Sequence, residues 1–238
     1  MKHKLIERIT RFLAPPARIV ALLLAATAAT GAWAATPVAD VVWESDFSSS
    51  KTGTDGNTYS ITLNGNTVNS DGNLVINNSA NSYKGASISL TDTKTAATML
   101  IKYSSLAAYS AANATLANIA SASYGIGARS SSAGQLGLVG FYNEESTTYN
   151  FSTQPSLVTG SGYFLLGYSY NTGTMAYAGS SLSSMTGGNT TTLRWSDFPI
   201  ATISVGGGVA TGKAYAWNGV VIEKVAIFFG AYSATDLF

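Results

Sequence analysis

An alternating apolar segment near the carboxyl end constrains the fold of this chain more than any other feature. Between Val220 and Phe229 nearly every residue is β-branched, aromatic or long and apolar, as is typical of half-buried strands. The apolar residues at alternate positions are Val221, Val225, Ile227 and Phe229. Because alternate residues of a strand share a face, this pattern predicts one nearly continuous apolar face. Glu223 has the same parity and interrupts it. Beyond Gly230, Ser233 is placed to cap a helical turn through Leu237.

Short strands separated by turn residues recur along the rest of the chain. An amino-terminal strand is predicted at Val41–Phe47, and Asn64-Gly65 is the strongest hairpin signal. Further strands are predicted at 58–63, 74–77, 84–90, 96–103, 124–128, 135–143, 163–170 and 174–178. The Ala- and Ser-rich segment 104–118 is predicted as a loop, with a short helix as the alternative. The polar segment 180–192 is also predicted as a loop, with a short helical start at Ser181 as an alternative. This spacing favours an antiparallel β-sandwich over βαβ units.

The pattern at the carboxyl end resembles that of laminin-G-like domains in the concanavalin A-like lectin and glucanase superfamily. The residues that carry the resemblance are Ile203, Gly206, Gly207, Trp217, Gly219, Ile222, Glu223, Val225, Ile227, Phe228, Gly230, Ser233 and Leu237, with Val42–Phe47 at the front end. The resemblance implies an all-β, antiparallel two-sheet jelly-roll sandwich whose first and last strands lie side by side. We therefore expect 41–47 to pair antiparallel with 220–229. It also implies a superfamily in which binding of glycans or proteins is common and catalysis occurs in particular branches.

The first 34 residues have the features of a secretory signal peptide. Basic residues precede a short apolar run at Ile19–Ala29, and Ala32–Ala34 forms a small-residue cleavage site before Ala35. The apolar run is well short of the ~20 residues that a membrane-spanning helix needs; an uncleaved anchor helix is the alternative. The predicted organisation is a signal peptide at 1–34, a linker at 35–40 and one β-sandwich domain at 41–238. The predicted location is extracellular, periplasmic or at the cell surface.

The composition of the predicted mature domain excludes several classes of function. Removing the leader takes away five of the thirteen Lys and Arg residues but only one of the twelve acids, so the domain is slightly acidic. A nucleic-acid partner, which requires a clustered basic surface, is not expected. The chain has no cysteine, and its single histidine, His3, lies in the leader. The mature domain therefore has no Ser-His-Asp triad, no Cys-His pair and no His- or Cys-ligated zinc.

The acidic residues do not form a recognisable catalytic pattern. Glycoside hydrolysis needs two carboxylates that face each other across a sugar, about 5–9 Å apart. Glu144 and Glu145 are adjacent, so a strand would point them to opposite faces. The glucanase branch carries an acid-x-acid-x-x-acid run on one strand, whereas Glu44 and Asp46 have only the first spacing and lie on the first strand. We therefore expect a non-enzyme, with a remote glycoside hydrolase as the less favoured alternative.

A cation site is considered at Glu223, because a buried acid must be paired with a base or bind a cation. Arg129 and Arg194 are the arginines available to pair with it, and a position at the rim of the sheet is a further alternative. Asp46 is the second candidate ligand for a hard cation such as calcium. No EF-hand-like loop is present in the sequence, so no cofactor is expected and calcium stays open as an alternative.

Aromatic side chains beside polar groups are the expected ligand contacts, because sugar rings present apolar C–H faces next to hydroxyls. The candidates are Trp195 with Arg194 and Asp197, Trp217 with Asn218, and Tyr142. The alternative for each aromatic is a structural role. Trp217 matches a structural position of the family, and most tyrosines of a β-rich domain pack in or over the core.

Together these features predict a secreted, non-catalytic recognition module that binds a glycan or a surface protein. The alternative is a structural or adhesive surface component whose fold serves assembly and binds no small ligand. An exposed aromatic groove with nearby amides would favour the first, and self-association without glycan binding would favour the second.

Overall fold

Strands make up nearly all of the regular structure. This computed structural model describes residues 36–78, 84–107, 114–120, 124–130, 136–142, 145–149, 155, 157–169, 173–190, 199–208 and 215–238, with the backbone alone at 114, 124–130, 136–142, 145–149, 190 and 215. Within these residues the strands form two eight-stranded sheets and one two-stranded sheet. None of the helices in these ranges has the length and hydropathy to cross a membrane.

The bounds of the elements are as follows. The first sheet contains β1 (Val41–Glu44), β5 (Thr67–Val68), β6 (Leu74–Val75), β8 (Ala96–Leu106), β13 (Gly160–Ser169), β14 (Gly173–Gly179), β15 (Thr186–Thr190) and β18 (Val221–Phe228). The second contains β4 (Ile61–Thr62), β7 (Ala86–Lys94), β9 (Ala114–Ala120), β10 (Tyr124–Ser130), β11 (Leu136–Tyr142), β12 (Glu145–Tyr149), β16 (Ile200–Val205) and β17 (Tyr215–Ala216). The small sheet is β2 (Lys51–Thr52) with β3 (Thr58–Tyr59). A 3-10 helix spans Leu182–Ser184, and helix α1 spans Ala234–Leu237.

The order of strands across each sheet brings distant segments together. The first sheet runs β15-β14-β13-β8-β18-β6-β5, with β1 also paired to β18. The second runs β12-β11-β10-β9-β16-β7-β4, with β17 added beside β9. All of these pairs are antiparallel except the short β17–β9 pair. The predicted fold class, an all-β antiparallel two-sheet sandwich whose first and last strands are paired, is confirmed.

The pairing of the first and last strands is confirmed residue by residue. β1 runs antiparallel to β18, with Val41 opposite Ile227 and Trp43 opposite Val225. The strand ends at Glu44, three residues before the predicted end. Ser45 has a φ of 52°, a left-handed conformation outside the β region that regular strands occupy.

The core lies between the facing sides of the two sheets. In the second sheet the isoleucines Ile61, Ile88, Ile203 and Ile119 are cross-strand neighbours in one row. In the first sheet the matching row is Trp43, Val225, Ile101 and Phe164. These side chains belong to or pack against one buried cluster. Each fully buried large apolar side chain contributes about 1.5–3 kcal/mol relative to an exposed position.

A β-bulge in β18 corrects the predicted parity of the last strand. Ile222 lies opposite Tyr103, but the next paired residue is Lys224, opposite Lys102, so Glu223 is the extra residue. The bulge shifts the alternation by one. Ile222 is therefore fully buried, as is Val225, whereas Val221 is only partly buried. Glu223 does not interrupt the apolar face, because it leaves the core at the bulge.

The Asn64-Gly65 turn forms as predicted but does not join a hairpin. Both residues have positive φ, 52° and 93°, as a type I′ turn requires. The strand before the turn, β4, pairs with β7 in the second sheet, whereas β5 after it pairs with β6 in the first sheet. The turn therefore carries the chain from one layer of the sandwich to the other. The capped turn at Ser233 is confirmed, with Asp236 completing a capping box.

Candidate functional site

A row of small polar side chains crosses the outer face of the second sheet. Asn118 of β9, Ser204 of β16, Ser87 of β7 and Thr62 of β4 are cross-strand neighbours. Each is adjacent in its own strand to an isoleucine that faces the core. Because successive side chains of a strand point to opposite faces, this polar row lies on the face directed away from the core. We call it the Asn118 row.

The neighbouring positions on this face carry small residues. Ala120, Thr202 and Ser89 form the adjacent row. On the other side of Asn118, strand β10 places glycine opposite both rows, with Gly127 opposite Asn118 and Gly125 opposite Ala120. The seven side chains of the two rows are all uncharged and short. Asn118, Ser204 and Ala120 are almost fully buried, whereas Thr62 and Ser89 are exposed.

The amide of Asn118 is buried without a hydrogen-bond partner among the residues that the structure describes. Its side chain is 1% exposed, and neither Oδ1 nor Nδ2 has a partner there. Leaving a buried polar group unpaired costs about 1–3 kcal/mol. Asn66, which is 4% exposed, shows the usual arrangement. Its Nδ2 donates to the Leu63 carbonyl at 2.7 Å, and its Oδ1 accepts from the Asn77 backbone N–H at 3.1 Å.

The hydroxyl groups beside Asn118 are already oriented by the protein. Ser204 Oγ donates to the Gly207 carbonyl at 2.7 Å, which leaves the oxygen lone pairs as acceptors. Ser87 Oγ accepts a hydrogen bond from Asn64 Nδ2 at 3.0 Å. A ligand on this face would therefore meet an unpaired amide, which offers both a donor and an acceptor, and fixed hydroxyls on one side of it.

The residues singled out from the sequence have different positions. Arg194, Trp195 and Asp197 lie outside the described residues. Tyr142 is at the end of β11, opposite Tyr124 and Glu145, and only its backbone is described. The roles predicted for these four residues stay predictions.

Trp217 and Asn218 are adjacent in the sequence but differ in burial. Trp217 is 3% exposed and belongs to the core cluster, and its backbone N–H donates to the Gly206 carbonyl at 3.0 Å. The indole face is not available as an open platform for a sugar, so this position corresponds to the structural role. Asn218 is exposed, in the turn that Gly219 completes with a φ of 86°.

The two candidate cation ligands both have lysine partners. Glu223 accepts from Lys102 at 2.9 Å, and this bond, followed by one from Ser104, lowers the pKa of the Glu223 carboxyl. Burial raises the pKa of Asp46, but hydrogen bonds from Lys51 and from the Glu44 backbone outweigh it and the net pKa is lowered. Within the described ranges no group of three potential ligands is arranged to hold a metal. The expectation of no cofactor, with calcium as the alternative, stays a prediction. The arginine considered as partner of Glu223 is replaced by Lys102.

The structure describes some of the acids that were considered for catalysis. Glu44 Oε2 lies 2.8 Å from Lys224 Nζ, across the β1–β18 pair. Glu145 begins β12, and Glu144 lies outside the described residues. The described residues therefore show Glu44 as one half of an ion pair on the outer face of the first sheet.

Fold and site together define an antiparallel β-sandwich protein with an uncharged polar face. No protein-family model and no curated protein matches the chain. Among solved structures it is similar to the sialidase of Trypanosoma rangeli. The complex with 2,3-difluoro-KDN has a TM-score of 0.54 and 12% identity, covering 87% of this chain and 33% of that one. The complex with sialic acid has a TM-score of 0.53 and 11% identity, covering 86% and 33%.

A second similar structure is the binding domain of botulinum neurotoxin serotype D. Its TM-score is 0.50 with 11% identity, covering 84% of this chain and 49% of that one. The chain thus spans about one third of the sialidase and half of the toxin domain. At these identities the likeness shows the β-sandwich fold and nothing narrower. The laminin-G-like assignment therefore stays a prediction.

Proposed function

We propose that this protein is a non-catalytic recognition module that binds an uncharged segment of a glycan on the outer face of its second sheet. The observation that carries the proposal is the buried, unpaired amide of Asn118 within a row of small hydroxyl residues. With the signal peptide predicted from the sequence, the proposed place of action is outside the cytoplasm.

The chemistry of the Asn118 row favours a carbohydrate. A sugar hydroxyl donates and accepts a hydrogen bond at the same time, and a side-chain amide needs one of each. Binding a sugar hydroxyl would therefore satisfy both Nδ2 and Oδ1. None of the side chains of the two rows carries a charge, so nothing on them attracts an ionic group.

The similar solved structures support the fold, and experiment must identify the ligand. Sandwiches of this kind occur in a sialidase crystallised with sialic acid and in a toxin binding domain. Neither the ligand nor any catalytic residue is carried over from them.

The test is a glycan array with the purified protein, followed by titration calorimetry on the glycans that bind. Asn118→Ala removes the amide, and Asn218→Ala is a matched control because Asn218 is an exposed asparagine in a turn. Loss of the hydrogen bonds to a buried amide should weaken binding by about 1.5–3 kcal/mol, which is ~10–150-fold in Kd. An array without binders, or equal affinity in wild type and Asn118→Ala, would overturn the proposal.

A further inference from the structure

A cleft lies on the opposite side of the molecule, on the outer face of the first sheet. Its floor is an apolar row formed by Val42, Ala226 and Leu100, which are cross-strand neighbours in β1, β18 and β8. Leu182 of the 3-10 helix and Phe238 also line it. The volume is about 280 Å³, slightly below the ~300–1,000 Å³ of small-molecule pockets. It is therefore sized for one inserted side chain.

One end of this cleft carries balanced charges. Glu44, Lys224 and Lys102 form the next cross-strand row, and the bulge residue Glu223 stands beside Lys102. The pairs Lys224–Glu44 and Lys102–Glu223 have separations of 2.8 and 2.9 Å. Two lysines and two glutamates therefore lie within one patch, and their four charges sum to zero. A patch with both signs is complementary to a rotated copy of itself, as a twofold interface requires.

An exposed aromatic stands at the edge of the same cleft. Phe238 is 49% exposed, and Val38, next to the cleft residue Ala39, is 82% exposed. Within the described residues these two are the large apolar side chains that are exposed. The rest of the apolar cluster on this face is buried, as Leu165 and Met175 are, or partly buried. The patch thus carries a protruding aromatic ring next to a cavity with room for one.

We propose that this cleft is a self-association surface, in which two copies of the chain meet about a twofold axis. Phe238 of each copy enters the cleft of the other, over Leu100 and Ala226. The lysine and glutamate pairs at the end of the cleft exchange partners across the axis. This surface is separate from the Asn118 row, so the proposal stands or falls independently of glycan binding.

Sedimentation equilibrium of the purified protein tests the proposal. Protein concentrations from about 1 μM to about 1 mM allow dimer Kd values between about 1 μM and about 1 mM to be measured. The wild type should show a monomer–dimer equilibrium within this range. Phe238→Asp should weaken it at least about tenfold, and Leu100→Lys, which blocks the floor, should do the same. Phe238→Leu keeps the apolar insertion and should remain dimeric.

Controls separate loss of the interface from loss of folding and from other occupants. Asn218→Asp adds the same charge at an exposed turn residue outside the cleft and should leave the dimer unchanged. Near-wild-type thermal unfolding of Phe238→Asp shows that the variant folds. A wild type that stays monomeric at the highest concentration, or a dimer unaffected by both Phe238→Asp and Leu100→Lys, overturns the proposal. So would a glycan that binds the wild-type monomer and is lost in Leu100→Lys, because it would assign the cleft to a small ligand.

Discussion

Trp43 lies directly opposite Val225 in the register that joins the first strand to the last. Both side chains are fully buried, and the indole Nε1 donates to the Ser49 carbonyl at 2.9 Å. This contact links segments about 180 residues apart in the chain. It closes the first sheet on the core side, while Val42 next to it faces the cleft.

Replacing Trp43 with alanine should be among the most destabilising changes in the protein. The substitution opens a cavity at the junction of the two terminal strands, and such changes cost about 3–5 kcal/mol. Urea unfolding followed by circular dichroism measures the change. Val42→Ala on the same strand is the matched control and should cost less, because Val42 is only partly buried. Equal losses for the two variants would contradict the assigned register.

Leucine substitutions at Asn118 and Asn66 should have opposite effects on the free energy of unfolding. Asn66 is bonded through both side-chain atoms, so Asn66→Leu leaves several buried groups unpaired, at about 1–3 kcal/mol each. Asn118→Leu breaks no hydrogen bond to a described residue and removes a buried unpaired amide. Without ligand it should be neutral or stabilising. Denaturant unfolding of both variants tests this, and a large loss for Asn118→Leu would mean that its amide is paired within the protein.

The Lys102–Glu223 pair should make stability depend on pH on the acidic side. The pKa of Glu223 is lower in the folded state than in the unfolded state, so the pair stabilises the folded protein at pH values above the unfolded pKa of ~4.3. This stabilisation is lost as the pH falls through the folded-state pKa. Both side chains are partly exposed, 40% and 27%, so the contribution is below ~1 kcal/mol. Glu223→Gln should therefore be slightly less stable than wild type at neutral pH and equal to it at strongly acidic pH. A stability difference between the two proteins that increases as the pH falls would contradict the prediction.

Tyr59 should be among the last tyrosines to ionise. Burial, followed by the hydrogen bond to Asp55 at 2.6 Å, raises its pKa to about 12. Alkaline difference spectroscopy of the folded protein should show a phenol titrating near that pH that is missing in Tyr59→Phe. The substitution also removes a bond to a charged carboxylate, at about 1.5–3 kcal/mol. A Tyr59→Phe titration curve identical to that of the wild type would contradict the prediction.

Two glycines with similar backbone angles should respond differently to alanine. Gly72 and Gly56 have φ values of 79° and 80°, so alanine carries a comparable left-handed penalty of about 1 kcal/mol at both. A Cβ at Gly72 would collide with the Ser45 carbonyl, whereas none of the surrounding atoms lies within 4 Å of one at Gly56. Gly72→Ala should therefore lower the thermal unfolding midpoint well beyond Gly56→Ala. Equal midpoints would show that the β5–β6 turn can move away from Ser45.

Several parts of the fold could be predicted because they depend on neighbours along the chain. Alternation of apolar residues in 41–47 and 220–229 indicated two strands, and their pairing followed from the family resemblance. The conformation of Asn64-Gly65 and the capped turn at Ser233 depend on a few consecutive residues. Residues 114–118, the end of the segment predicted as a loop, belong instead to strand β9. Its alanines have low strand propensity, and β9 forms because it is paired on both sides, by β10 and β16.

By itself, the sequence determined the class of fold and, through the absence of cysteine, excluded thiol chemistry. The absence of imidazole and of His-ligated zinc follows only with the predicted leader, which contains His3, removed. Only the tertiary structure decided that Glu223 sits in a bulge and pairs with Lys102, that Asn64-Gly65 crosses between layers, and that Asn118 is buried beside Ser204. In the sequence, Asn118 lies between Ala117 and Ile119. This short pattern is a weak signal for a strand, and no local feature distinguishes it from a loop. One of the two strands that flank Asn118, β16, is more than 80 residues away along the chain. Register and burial are set by those distant partners, and no short stretch of sequence contains them.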